Sequence, residues 1–253
     1  MTWMKTQDYR HFPKAVWGFV RAEFVLVASL AVIAAAVLFF IEIADEMSEG
    51  EAHGFDMAVL QMLHPDTANP SDPIGPKWLD HAAGDLTAIG SVSVLAVLAL
   101  LVGSFLVLQH KRLEALIIAV AFGGGLTISQ LLKEFFNRER PPEIYRASEI
   151  LNASFPSGHA LLSTVVFLTL GAMLTQAAKG QGVRIFVMSA AIALAVLVGL
   201  TRIYLGVHWT TDVLAGWAAG AAWATACWLA GRWLKQRGGA QQGVPDKGAG
   251  AAS

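Results

Sequence analysis

Of the 253 residues, 55% are hydrophobic and only 15% charged, too little polar surface to clothe a soluble domain and the balance expected of a chain held in a bilayer. A formal net charge of −1 offers no basic stripe and argues against nucleic acid as a partner. The single cysteine, Cys227, excludes an intrachain disulfide and falls inside an apolar run, where packing is its expected role.

A helix needs about 20 apolar residues to cross the hydrocarbon core. Six such runs are present, at 22–44, 87–109, 113–132, 159–178, 184–204 and 212–234. The expected fold is therefore all-α: a polytopic bundle of six transmembrane helices forming a single domain over residues 1–237, followed by a disordered tail at 238–253 rich in Gly, Ala and Gln. Residues 1–21 carry Lys5, Arg10, Lys14 and Arg21 and are expected to stay in the cytoplasm. The first run continues past Ala34, Ala35 and Ala36 into Val37 and Ile41, which argues for a retained span and not a cleaved signal peptide.

The segment 45–86 sets Asp45, Glu46, Glu49, Glu51, Asp56, Asp66, Asp72, Asp80 and Asp85 against Lys77 and is expected to lie outside. Within it, Phe55, Met57, Leu60 and Leu63 have the spacing of a short interfacial helix on the bilayer surface, followed by a Pro-rich link from Pro65 to Pro76. His53, His64 and His81 in the same loop match no metal-ligand spacing, so surface or packing roles are expected. Later turns at His110-Lys111-Arg112, at Lys179 and Arg184, and at Arg232, Lys235 and Arg237 are basic and belong inside. The alternation predicts an even number of spans with both termini cytoplasmic. Gly123 to Gly125, and Gly216 with Gly220, offer close helix packing, while Trp209, Trp217 and Trp233 either anchor at interfaces or pack.

This topology carries Lys133, Arg140, His159, Arg202, His208 and Asp212 to one outer face. A charged side chain at mid-membrane costs about 2.5–3.5 kcal/mol unless paired or wetted, so such residues usually have a task. Lys133 and Arg140 are seven apart, close to two helical turns, and Pro141 with Pro142 ends that helix. Alone, the two cations read as snorkelling residues at a helix C-terminus. Ser157, Gly158 and His159 open a span, where unpaired backbone N–H groups make an anion site; the plainer reading is an N-cap serine and an interface histidine. His208 and Asp212, four apart on a helix, share a face, so the carboxylate can hold one imidazole nitrogen while the other points at a substrate. Arg202 adds a forked cation suited to phosphate oxygens. Together these parts suit phosphoryl transfer, which relies on positioning and charge stabilisation; no metal or other cofactor is called for, and no carboxylate cluster suited to magnesium accompanies them.

Lys133 through Arg140-Pro141, then Pro156-Ser157-Gly158-His159, then Arg202 with His208 and Asp212, resemble the three signature motifs of the type 2 phosphatidic acid phosphatase superfamily in its membrane-embedded bacterial branch. Thr201 departs from the serine most often found there, though a hydroxyl is kept. The resemblance implies that His208 attacks phosphorus to form a phosphohistidine, Asp212 fixes its tautomer, and His159 protonates the leaving group and then activates water. It also implies that Lys133, Arg140 and Arg202 hold the phosphoryl oxygens with help from Ser157 and the Gly158 backbone. Arg138 and Arg146 are extra cations, read as candidate headgroup contacts. The expected function is a metal-independent hydrolase of lipid phosphates or diphosphates in the cell inner membrane, its pocket facing the extracytoplasmic side. Two alternatives share the pocket: a vanadate-binding haloperoxidase, and a protein that binds or flips lipid headgroups without turnover.

Overall fold

A computed structural model describes residues 14–146 and 152–241 of the chain. The expectations for Lys5, Arg10 and the tail from 242 onward lie outside the described residues. Helices α1 (Lys14–Glu49), α2 (Ala52–Leu63), α3 (Lys77–Ala88), α4 (Val92–Leu108), α5 (Arg112–Phe136), α6 (Gly158–Ala177), α7 (Gln181–Tyr204) and α8 (Thr210–Gln241) follow in order, with one 3₁₀ turn at Glu143–Tyr145. Among the described residues five helices are long and apolar enough to cross a membrane, and the bent pair α3–α4 brings the number to six. The protein is an integral membrane, all-helical bundle.

Helix α6 is the centre. Its apolar residues are spread around the whole circumference, so it is buried on every side among α4, α5, α7 and α8, and Leu161, Leu162 and Val165 are completely enclosed. Small residues set how close its neighbours come. A Cβ on Gly216 of α8 would lie 2.7 Å from the Ser157 carbonyl oxygen, and one on Gly220 2.7 Å from that of Leu161. Backbone cannot yield there as a flexible side chain could. Gly216→Ala is therefore expected to destabilise the bundle by about 1–3 kcal/mol, read as a lower unfolding midpoint in detergent; an unchanged midpoint would mean that α6 and α8 can part without loss. Trp217 and Trp223 lie on Gly199 and Gly124 and donate to the carbonyls of Ala195 and Ala121, so Trp217 packs and does not anchor. Trp233 remains half exposed under the Arg237 guanidinium, and Cys227 is buried and free.

One expectation needs correction. The second span does not run unbroken from 87: α3 and α4 meet at 46°, because Ser91 restarts the helix by accepting from the Val94 N–H at 3.3 Å, while Gly90 sits directly on Val198. Residues read as outer loop thus belong to α3, held by the Tyr204 hydroxyl, which donates to Asp80 at 2.7 Å and lies 2.9 Å from the Ile74 carbonyl oxygen. The short helix α2 is present; it buries Ala52, Asp56 and Leu60 and leaves Phe55 exposed. Helix α8 extends to Gln241.

The C-terminal ends of α5 and α7, the N-terminal ends of α6 and α8, and helix α2 meet at one end of the bundle. Ile43 and Ala44 of α1 pack there on Phe155 and Ala215. Lys235 joins Glu114 at 3.0 Å and Gln176 at 3.4 Å at the other end.

Candidate active site

Helix α5 stops at Asn137, whose left-handed φ of 41° turns the chain sharply while its N–H bonds the Lys133 carbonyl. The turn sends the next residues across the mouth of the bundle. Lys133, almost fully buried, donates to the Ala153 carbonyl. A Cβ on Gly158 would stand 3.7 Å from Lys133 Cε, an ordinary contact, and 3.3 Å from Ser129 Oγ, so the lysine stem lies against the first turn of α6 and only the serine would be crowded. Ser157 caps that turn, accepting from the Ala160 N–H at 3.5 Å, and its own N–H donates to the Asp212 carbonyl at 2.9 Å. Helix α6 thus starts in register with α8.

The loop between α7 and α8 depends on Gly206. With φ at 64° and the Tyr145 carbonyl pressed against its Cα, it admits no side chain, and the turn it makes tucks Val207 and His208 under the 3₁₀ segment. His208 is buried, with Nδ1 3.2 Å from Asp212 Oδ2 and Nε2 3.1 Å from Arg140 Nη1. A guanidinium only donates, so Nε2 must be the bare acceptor and Nδ1 must carry the proton toward Asp212. Burial first, and then the charges of Arg140, Arg202 and Lys133, push this imidazole well below its ordinary proton affinity. The ring is neutral at physiological pH, with its lone pair at Nε2.

Arg140 is fixed on all sides: Nε and Nη2 donate to the Asn152 carbonyl and side-chain oxygens at 2.8 and 2.6 Å, and Nη1 to the Val207 carbonyl at 2.6 Å. Burial lowers its guanidinium to about 10, which leaves it charged at neutral pH. Arg202, in the last turn of α7, is 6% exposed and donates from Nη1 to Thr87 Oγ1 at 3.1 Å. Its buried Nε–H finds no acceptor among the described residues. His159 stands half-buried at the start of α6, and among the described residues its ring makes no hydrogen bond.

Asp212 is completely enclosed and takes four donors: Arg138 Nη1 at 2.7 Å, the Trp209 N–H at 3.0 Å, Ser154 Oγ, and His208 Nδ1. All eight residues singled out in the sequence lie at this end of the bundle, and Arg140, His208 and Asp212 are in direct sequence of contact. Arg138 bridges Asp212 and Asp56 and lies 5.6 Å from the Trp209 ring centroid. Arg146 is tied to the Pro141 carbonyl at 2.6 Å. His64 is buried against Tyr145, its Nδ1 2.8 Å from the Pro70 carbonyl, whereas His53 and His81 are exposed.

Residues 114–236 match the PAP2 superfamily. The phosphatidylglycerophosphatase B of Bacillus subtilis (strain 168) is 31% identical over 150 residues, which is 56% of this chain and 70% of that protein. The chain belongs to the PAP2 superfamily. A second relative, the undecaprenyl-diphosphatase of Sulfolobus acidocaldarius, is 30% identical over 121 residues, 46% of this chain and 54% of that protein. The fold is shared with the transmembrane PAP2 type phosphatidylglycerolphosphate phosphatase from Bacillus subtilis, at a TM-score of 0.68 and 24% identity over 85% of this chain and 98% of that one. Aquifex aeolicus LpxE aligns with a TM-score of 0.51 and 21% identity, covering 68% and 94% of the two chains. The PAP2 match holds Lys133, Arg140, His159, Arg202, His208 and Asp212, but it leaves out Asp56 and Thr87, which reach the centre from α2 and α3.

Proposed function

We propose that this PAP2 chain is a metal-independent phosphatase of membrane lipid phosphates or diphosphates, working through a phosphohistidine on His208. One observation carries the reading: the His208 ring is held through Nδ1 by Asp212 while its bare Nε2 faces the Arg140 guanidinium. A nucleophile, the group that orients it and a cation for the oxygens it attacks are thereby within contact of one another. The unpaired Nε–H of Arg202 and the N-terminus of α6 are further donors suited to a tetrahedral anion.

The steps follow from these contacts. Nε2 of His208 attacks phosphorus, the P–O bond to the lipid breaks, and the departing oxygen takes its proton from a protonated His159. The phosphorylated ring is now cationic and is balanced by Asp212 through Nδ1–H. Neutral His159 then takes a proton from water as the water oxygen attacks phosphorus and the P–N bond breaks, which frees phosphate and restores both histidines. Lys133, Arg140 and Arg202 hold the equatorial oxygens throughout, with Ser157 and the Gly158 backbone at the helix end. Because the pocket lies at one end of the bundle and not in its middle, an apolar tail can stay in lipid while the phosphate alone meets the cations. The basic turns at the opposite end support an extracytoplasmic pocket with both termini cytoplasmic. The names of the relatives suggest glycerolipid monophosphates and isoprenyl diphosphates as substrates.

The test is phosphate release by purified protein in detergent, with phosphatidylglycerol phosphate and an isoprenyl diphosphate compared in the presence of EDTA. Turnover undiminished by the chelator and a labelled, acid-labile phosphoprotein after rapid mixing are expected. Activity that EDTA abolishes and magnesium restores would overturn the metal-independent mechanism, and binding without phosphate release would favour a headgroup carrier.

A further inference from the structure

Asp56 lies outside all three motifs and outside the PAP2 match, yet it is 1% exposed and bonds Arg138, which in turn holds Asp212. Its Oδ2 lies 2.8 Å from Arg138 Nη2 and accepts from Thr211 Oγ1 at 2.6 Å, while Oδ1 accepts from the Thr211 N–H at 3.0 Å. Arg138 Nη1 in turn reaches both Thr211 Oγ1 at 2.8 Å and Asp212 Oδ1 at 2.7 Å. One guanidinium therefore joins two enclosed carboxylates. Burying a carboxylate is costly, and Asp212 already has its counter-ion in Arg138, so a second acid on the same cation adds a burden that packing alone does not require. The contacts say what it does instead. Asp56 caps the first turn of α8 from a different helix, one residue before Asp212, and fixes the plane of the guanidinium that Asp212 leans on.

We propose that Asp56 is a positioning residue of the phosphatase site: by clamping Arg138 and the first turn of α8 it holds the Asp212 carboxylate against Nδ1 of His208. The inference rests on the phosphatase reading above and assigns α2 a part in the reaction. Asp212 faces His208 as its ring becomes cationic in the phosphorylated state, and Asp56 shares the guanidinium that holds Asp212 in place.

Asp56→Asn keeps the shape and an acceptor for Thr211 but removes the charge. It is expected to lower kcat by about 10- to 100-fold, in the range found for outer partners of site ligands. KM should stay within about threefold, because Lys133, Arg140 and Arg202 are untouched. Arg138→Gln strands two buried acids, whereas the double variant Asp56→Asn with Arg138→Gln restores the net charge. The double variant should therefore turn over at least about threefold faster than Arg138→Gln alone, a coupling that a merely structural role would not give. Thr211→Val, of matched shape, should lower kcat about 3- to 10-fold with little change in KM and serves where Asp56→Asn does not fold. A kcat for Asp56→Asn or Thr211→Val within twofold of wild type, or a double variant whose loss equals the product of the two singles, would overturn the proposal. With an active wild type those results remove the Asp56 role alone. A wild type that releases no phosphate from any lipid phosphate removes the phosphatase reading and this inference together.

Discussion

Replacing His208 by alanine is expected to abolish phosphate release in practice, with a loss of at least about 10⁴-fold and up to about 10⁶-fold in kcat, the span seen when an activated nucleophile is removed. The size of the effect follows from the absence of a substitute. His159 is the other imidazole placed at the pocket, and among the described residues its ring has no carboxylate to orient it. Water attacking directly would have to do without the covalent step. The fold should survive the change. Arg140 keeps the Val207 carbonyl and both Asn152 oxygens, and Asp212 keeps Arg138, Ser154 and the Trp209 N–H. Phosphate release and rapid-mixing capture of a labelled phosphoprotein, measured on wild type and variant with matched unfolding midpoints, give the comparison. Turnover within tenfold of wild type, or a phosphoprotein still formed, would move the nucleophile to another residue.

The sequence exposes these residues because charge is conspicuous in an apolar chain. Lys133, Arg202 and Asp212 interrupt or flank runs that otherwise cross the bilayer, and their common face follows from counting spans. Asp56 and Arg138 were harder to place. Asp56 stands in a segment crowded with acids, where one more reads as solvated, and its partners Arg138 and Thr211 lie 82 and 155 residues away in the chain. A signal does exist: Asp56 falls midway between Ala52 and Leu60 at four-residue steps, an acid inside the buried stripe of α2. Reading the helix from Phe55 and Met57 hides it. Helix α3 escapes notice for another reason. Asp80, His81, Gly84 and Asp85 give it the composition of a loop, and the contact that holds it, the Tyr204 hydroxyl on Asp80, is tertiary.

Asp212→Asn should be nearly as damaging, lowering kcat by about 10⁴-fold while KM moves little, the outcome found when a buried orienting aspartate becomes its amide. The contacts give the reason. Arg138 is a fixed cation that donates to Oδ1 and favours the amide oxygen on that side, which sets the NH₂ in the place of Oδ2, beside Ser154 Oγ. There it meets the Trp209 N–H and His208 Nδ1, both of which donate to Asp212 in the wild type. The imidazole can relieve the conflict only by moving its proton to Nε2, which then faces the Arg140 N–H and has no lone pair for phosphorus. Arg138 still has Asp56 as its counter-ion at 2.8 Å, so the buried guanidinium is not stranded and the variant should fold. The substrate cations are unchanged, and binding should be close to normal. Steady-state kinetics with the unfolding midpoint in the same detergent separate the cases: a fall in kcat at constant KM and midpoint is the signature of a misplaced proton, whereas a kcat within tenfold of wild type would show that His208 keeps its tautomer without the carboxylate.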